Sequence, residues 1–125
     1  MKTTLTHEST QDSITVFKLL DGQKNTVIAI SGTIVNKEDS DFLPIELNQL
    51  GGNPKSLRLD NIAFLVQNGL LVLLTYLDEP YILPIEGKGK LELDKMIGIP
   101  GHQLKFTFMG TGSFFIILDI SKLGV

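Results

Sequence analysis

The sequence predicts an all-β chain, an antiparallel β-sandwich that is jelly-roll-like and built of about eight strands. Three observations carry that expectation. Apolar and polar residues alternate in short runs spaced at about 8–12 residues, with Gly, Pro, Asn or Asp between them. No stretch has the 3.6-residue period of an amphipathic helix of normal length. Between Leu57 and Leu77 (LRLDNIAFLVQNGLLVLLTYL) two apolar arms meet at Gln67-Asn68-Gly69. Asn-Gly between such arms predicts a hairpin through a type I′ turn, because both central residues need φ > 0. Ile62, Phe64 and Val66 share one face of the first arm, and Leu70, Val72, Leu74 and Tyr76 one face of the second. The opposite faces hold Ala63 and Leu65, then Leu71, Leu73 and Leu77. Strands apolar on both sides demand a cover on both sides.

In chain order, residues 1–12 (MKTTLTHESTQD) have too little apolar content to order themselves and read as an extended N-terminal arm. Residues 13–125 read as the sandwich domain. Ser13–Leu20 alternates, with Ile14, Val16 and Lys18 on one side and Thr15, Phe17 and Leu19 on the other. Asp21-Gly22 turns the chain into Thr26–Val35, where Gly32 marks a bulge or a close backbone approach. Asn36–Asp41 is an acidic loop. In Phe42–Leu50, Pro44 argues against a central strand and leaves a helical turn or an extended crossover. Gly51-Gly52-Asn53-Pro54 is a loop, without the Gly-Lys-Ser/Thr ending of a phosphate loop. Asp60-Asn61 shifts the phase of the first arm and predicts a bulge. After Asp78-Glu79-Pro80, the short strand Tyr81–Ile85 carries Pro84, which demands an edge or a bulge. Glu86-Gly87-Lys88-Gly89 turns the chain toward Leu91 and Leu93. Met96–Gly101 is a loop. Leu104, Phe106 and Phe108 point inward from Gln103–Met109. Gly110-Thr111-Gly112 then leads to Ser113–Ile120, apolar on both faces, and Ser121–Val125 is a short tail.

With 125 residues, 42% hydrophobic and 20% charged, the chain is one domain with a proper core. It has no cysteine, so disulfides, thiolate metal sites and thiol nucleophiles are excluded. A net charge of −3 without a Lys/Arg run gives no footprint for nucleic acid. No apolar stretch is long enough for a membrane span, and no basic-then-apolar leader opens the chain. His7 and His102 stand in no ligand pattern, and Glu38, Asp39 and Asp41 lack the spacing and glycine of a calcium loop. Asp78 and Glu79 are adjacent at a turn, and Asp119, alone in an apolar strand, reads as outward-facing or partnered. The expectation is a non-enzyme with no catalytic, cofactor or metal residues.

The order of features resembles small structural proteins of tailed-phage virions, from Thr3 to Lys122. It is carried by the Thr-rich start TTLTHESTQDSITV, the central LRLDNIAFLVQNGLLVLLTYL, the Gly-x-Gly step IEGKGKLEL, and TGSFFIILDISK with its closing Lys. Two features depart from that pattern: Phe64 stands where those proteins often have Trp, and the Met96–His102 loop is shorter. The resemblance implies a capsid decoration (cement) protein on the virion surface, made in the host cytoplasm, with no catalytic residues. Its partners would be further copies of itself, a trimer if it sits on local threefold points, and the major capsid protein. The surplus apolar residues Leu71, Leu73, Leu77, Phe115 and Ile117 are expected at the oligomer interface. Thr3, Thr4, Leu5 and Thr6 of the arm, with Glu38 and Asp39, are expected at the capsid. The rival readings are a tail, baseplate or fibre part, for which a coiled coil or repeat is missing, and a sugar-binding sandwich, whose stacking aromatics could only be Tyr76 and Tyr81. An enzyme subunit with a site shared between chains is a third.

Overall fold

A computed structural model describes residues 13–35, 41–42, 44, 50–52, 54–76, 82–92 and 104–124. Among them are nine strands: β1 (Ser13–Asp21), β2 (Asn25–Ile34), β3 (Asp41–Phe42), β4 (Ser56–Val66), β5 (Leu71–Tyr76), β6 (Ile82–Ile85), β7 (Gly87–Glu92), β8 (Leu104–Met109) and β9 (Gly112–Leu123). They form a five-stranded sheet, β1-β2-β9-β4-β7, and a four-stranded sheet, β3-β8-β5-β6, with every pairing antiparallel. Setting β1 aside and counting from β2, the orders become 1-8-3-6 and 2-7-4-5. That is the jelly-roll order, and β1 is an additional strand laid beside β2.

The core lies between the sheets and follows the alternation read from the sequence. Ile28, Ile30, Ile62, Val66, Phe114, Ile116, Leu118 and Ile120 point in from the larger sheet. They meet Val72, Leu74, Ile85, Leu104, Phe106 and Phe108 from the smaller one. Phe106, Phe108 and Phe114 form an aromatic run, the first two edge-to-face at 6.1 Å and the last two at 5.2 Å.

The central Asn-Gly turn has the predicted backbone and an unpredicted destination. Asn68 and Gly69 both have positive φ (65° and 84°), yet β4 and β5 do not pair. The turn carries the chain from one sheet to the other, so the arms face each other across the core. β4 is already hydrogen-bonded on both sides, by β9 and β7, which leaves β5 no edge to join. Gly110–Gly112 makes the same kind of crossing from β8 to β9, and the two arches touch: Gln67 N–H donates to Ser113 O at 2.9 Å.

Other expectations meet the structure more directly. The ladder between β4 and β9 shifts at Leu59/Asn61, the predicted bulge. Pro84 lies on an edge strand. A Cβ on Gly32 would fall 2.0 Å from Ser13 O, so this glycine marks a close backbone approach. β7 begins at Gly87, inside the segment read as a turn. β9 continues to Leu123 through the segment read as a tail.

Candidate interaction surface

Strand register lays out the outer face of the five-stranded sheet row by row. One row runs Phe17, Ala29, Ile117, Ala63, Lys90 across β1, β2, β9, β4 and β7. The next runs Thr15, Ser31, Phe115, Leu65, Lys88, and on the other side Leu20, Val27, Asp119, Asn61, Glu92. Phe17, Leu20, Leu65 and Phe115 are exposed, and Leu19 is exposed beside them. Two adjoining open depressions of about 430 Å³ and 330 Å³ share Ala63, Lys90 and Ile117. The face is thus an apolar floor with Lys88, Lys90 and Glu92 along one rim. Five strands spaced about 4.8 Å apart, over about nine residues, make it about 24 by 30 Å. That is near the ~800 Å² per partner of a standard protein interface.

The residues expected at one oligomer interface do not lie together. Phe115 and Ile117 belong to this face. Leu71 and Leu73, half-buried, sit on the outer side of the four-stranded sheet, where Leu71 pairs with Met109 and Leu73 with Thr107. Patches on opposite faces of a sandwich join copies into an open stack, not a closed ring, because a cyclic trimer needs inclined surfaces. Leu77 and the capsid-contact set Thr3, Thr4, Leu5, Thr6, Glu38 and Asp39 lie outside the described residues. So do His7, Asp78, Glu79, Tyr81 and His102.

Two polar clusters sit near the end of the sandwich where β2 starts and β9 finishes. At the β4 bulge the Asp60 carboxylate accepts from Arg58 Nε at 2.7 Å and from Ser121 Oγ, while Arg58 Nη2 donates to Ser121 Oγ at 3.3 Å. The bulge turns Asp60 out of the apolar alternation and its neighbours neutralise it. Asn61 Nδ2 donates to Asp119 Oδ2 at 3.3 Å, so Asp119 is partnered. Deeper in, the Lys122 side chain is fully buried. Its Nζ donates to Asp21 Oδ1 at 2.5 Å, Gly22 O at 2.6 Å and Gly51 O at 2.8 Å. An ammonium has three donors, and all three are used. Asp21 Oδ2 accepts from Gly51 N–H at 3.1 Å. The hydrogen bond from Lys122 is the main cause holding the Asp21 carboxyl below its ordinary range.

The Lys122 cluster is the feature that the sequence reading missed. Its signal was present: inward positions 114, 116, 118 and 120 of β9 continue in step to 122. Among the described residues no three His, Cys, Asp or Glu side chains converge, and no helix is long and apolar enough to cross a membrane.

No family model matches the chain, and no curated protein does. Among solved structures, a cupin superfamily protein from Desulfitobacterium hafniense DCB-2 is similar at 12% identity, with a TM-score of 0.39 over 89% of this chain and 78% of that one.

Proposed function

We propose that this chain is a non-enzymatic structural component of a virion, a decoration protein that binds the outside of a phage head. The major capsid protein and further copies of the chain are its partners. The jelly roll does not by itself choose this function, since the fold serves capsids, lectins and cupins alike. The observation that carries the reading is the outer face of the five-stranded sheet. Phe17, Leu20, Leu65 and Phe115 stand exposed around depressions lined by Ala63 and Ile117. A contiguous apolar surface rimmed by polar residues marks a contact site. The polar clusters near it are internally satisfied, which favours a binding role over chemistry. A decoration protein adds buried area across capsomer junctions, and repetition over the shell turns modest contacts into strong reinforcement. A trimeric state rests on the resemblance to virion proteins alone.

The test is sedimentation of the purified full-length chain with heads of the phage whose genome encodes it. The chain is expected to pellet with intact heads and to saturate. A variant carrying Leu65→Ser and Phe115→Ser, directly opposite each other in the ladder, is expected to stay folded and remain in the supernatant. A wild-type chain that stays in the supernatant at every ratio overturns the reading.

A further inference from the structure

Among the described residues the sandwich has four edges, and three of them are blunted. β3 has two residues. β6 has four and contains Pro84. β7 has six, two of them Lys88 and Lys90, both exposed. Short strands, proline and lysine are the usual means of keeping an edge from pairing with another chain. β1 is the least protected of the four, with one lysine and one bulge over its length. It is nine residues long, without proline, and its one cation, Lys18, lies 3.6 Å from Asp21 of the same strand. Phe17, Leu19 and Leu20 on it are 55%, 60% and 50% exposed, the highest values among the large apolar side chains of the described residues. Its single irregularity is the bulge at Leu19. Among the described residues only β2 pairs with it.

From this contrast we infer that β1 pairs antiparallel with β1 of a second copy about a two-fold axis, joining two five-stranded sheets into one of ten strands. The strand is complementary to itself. Pairing it over its whole length sets Ser13 opposite Asp21 and places Phe17 opposite Phe17 of the other copy. Lys18 falls opposite Val16, so no like charges meet. The bulge lies outside the central three pairs. Such a contact is self-closing, because each copy uses the same patch. It is also small: a strand of about 30 Å against a sandwich edge about 10 Å deep buries about 300 Å² per partner. That area is at the weak end of specific interfaces. The dimer is therefore concentration-dependent, held by backbone hydrogen bonds and the apolar side chains beside them.

The absence of cysteine in the chain makes the test direct. Directly opposed residues of an antiparallel pair have Cα atoms about 4.5–5.5 Å apart, within disulfide reach. Phe17→Cys in the full-length chain is expected to oxidise to a covalent dimer far faster than Lys88→Cys on the other edge. It should also outpace Thr15→Cys, whose two copies would stand about 13 Å apart. In analytical ultracentrifugation the wild type is expected to shift from monomer to dimer with concentration. Phe17→Lys, which sets a charge against itself, should weaken association by about tenfold or more. Phe17→Leu should retain it. A chain that stays monomeric at high concentration overturns the inference, and so does equal cross-linking of the three cysteine variants. Capsid sedimentation is scored separately, so either result can fail alone.

Discussion

At one end of the sandwich a lysine is buried among carbonyl oxygens and a carboxylate; at the other, glycines let two backbone arches lie against each other. Lys122, Asp21, Gly22 and Gly51 bring the β1–β2 turn, the loop before β4 and the end of β9 to one ammonium. At the opposite end, a Cβ on Gly112 would fall 2.0 Å from Gln67 O, and one on Gly110 2.9 Å from Gly69 O. Both ends tie segments distant in sequence. The first uses directional, charge-assisted bonds around a buried ammonium, whose loss would leave its acceptors without their donor. The second uses shape, and depends on no titrating group. The difference teaches that ionic conditions and side-chain bulk should act on opposite ends.

The largest effect is expected from Lys122→Met, which keeps the apolar stem and removes the ammonium. Two carbonyls and a carboxylate then lose their donor, and the cost should be about 3 kcal/mol in denaturant unfolding. This is the low end for a broken buried pair, because 24% of the Asp21 side chain still meets water. The same end carries an acid dependence. The folded pKa of Asp21 is depressed, so its stabilisation is fully present above the unfolded value of about 3.9 and is lost as pH falls through the folded value. Wild-type stability should therefore drop below about pH 4 more than that of Asp21→Asn. Identical pH profiles for the two proteins would refute the role given to this pair.

What the sequence made legible was local. Alternation placed Leu104, Phe106 and Phe108 inside and a bulge at Asp60-Asn61, and proline's missing N–H put Pro84 at an edge or a bulge, because each depends on neighbours a few residues away. The Asn68-Gly69 turn was legible in its dihedral angles and misleading in its outcome. Whether two arms lie side by side or across a core depends on what else holds β4, and that partner, β9, lies some fifty residues later. Similarly, the exposure of Phe17 and Leu20 required the strand order: an apolar residue on β1 is uncovered because β1 is an edge. Lys122 escaped notice since a lysine near a chain end is usually solvated, and only its step with Ile120 gave it away.

The glycine end offers the smaller and cleaner comparison. Gly112→Ala combines a left-handed backbone, φ 152°, with a contact no side chain can accept. Strain and overpacking together should cost about 2 kcal/mol or more. Gly69→Ala has the same kind of strain, φ 84°, but open space where the Cβ would go. Strain alone predicts about 1 kcal/mol. Because φ differs at the two sites, the difference between the two variants sets an upper bound on the contribution of the contact between the arches. Neither loss should change as the pH falls below about 4, where the Asp21 contribution is lost. If Gly69→Ala costs as much as Gly112→Ala, the arches are not packed on each other, and this end is held by its turns separately.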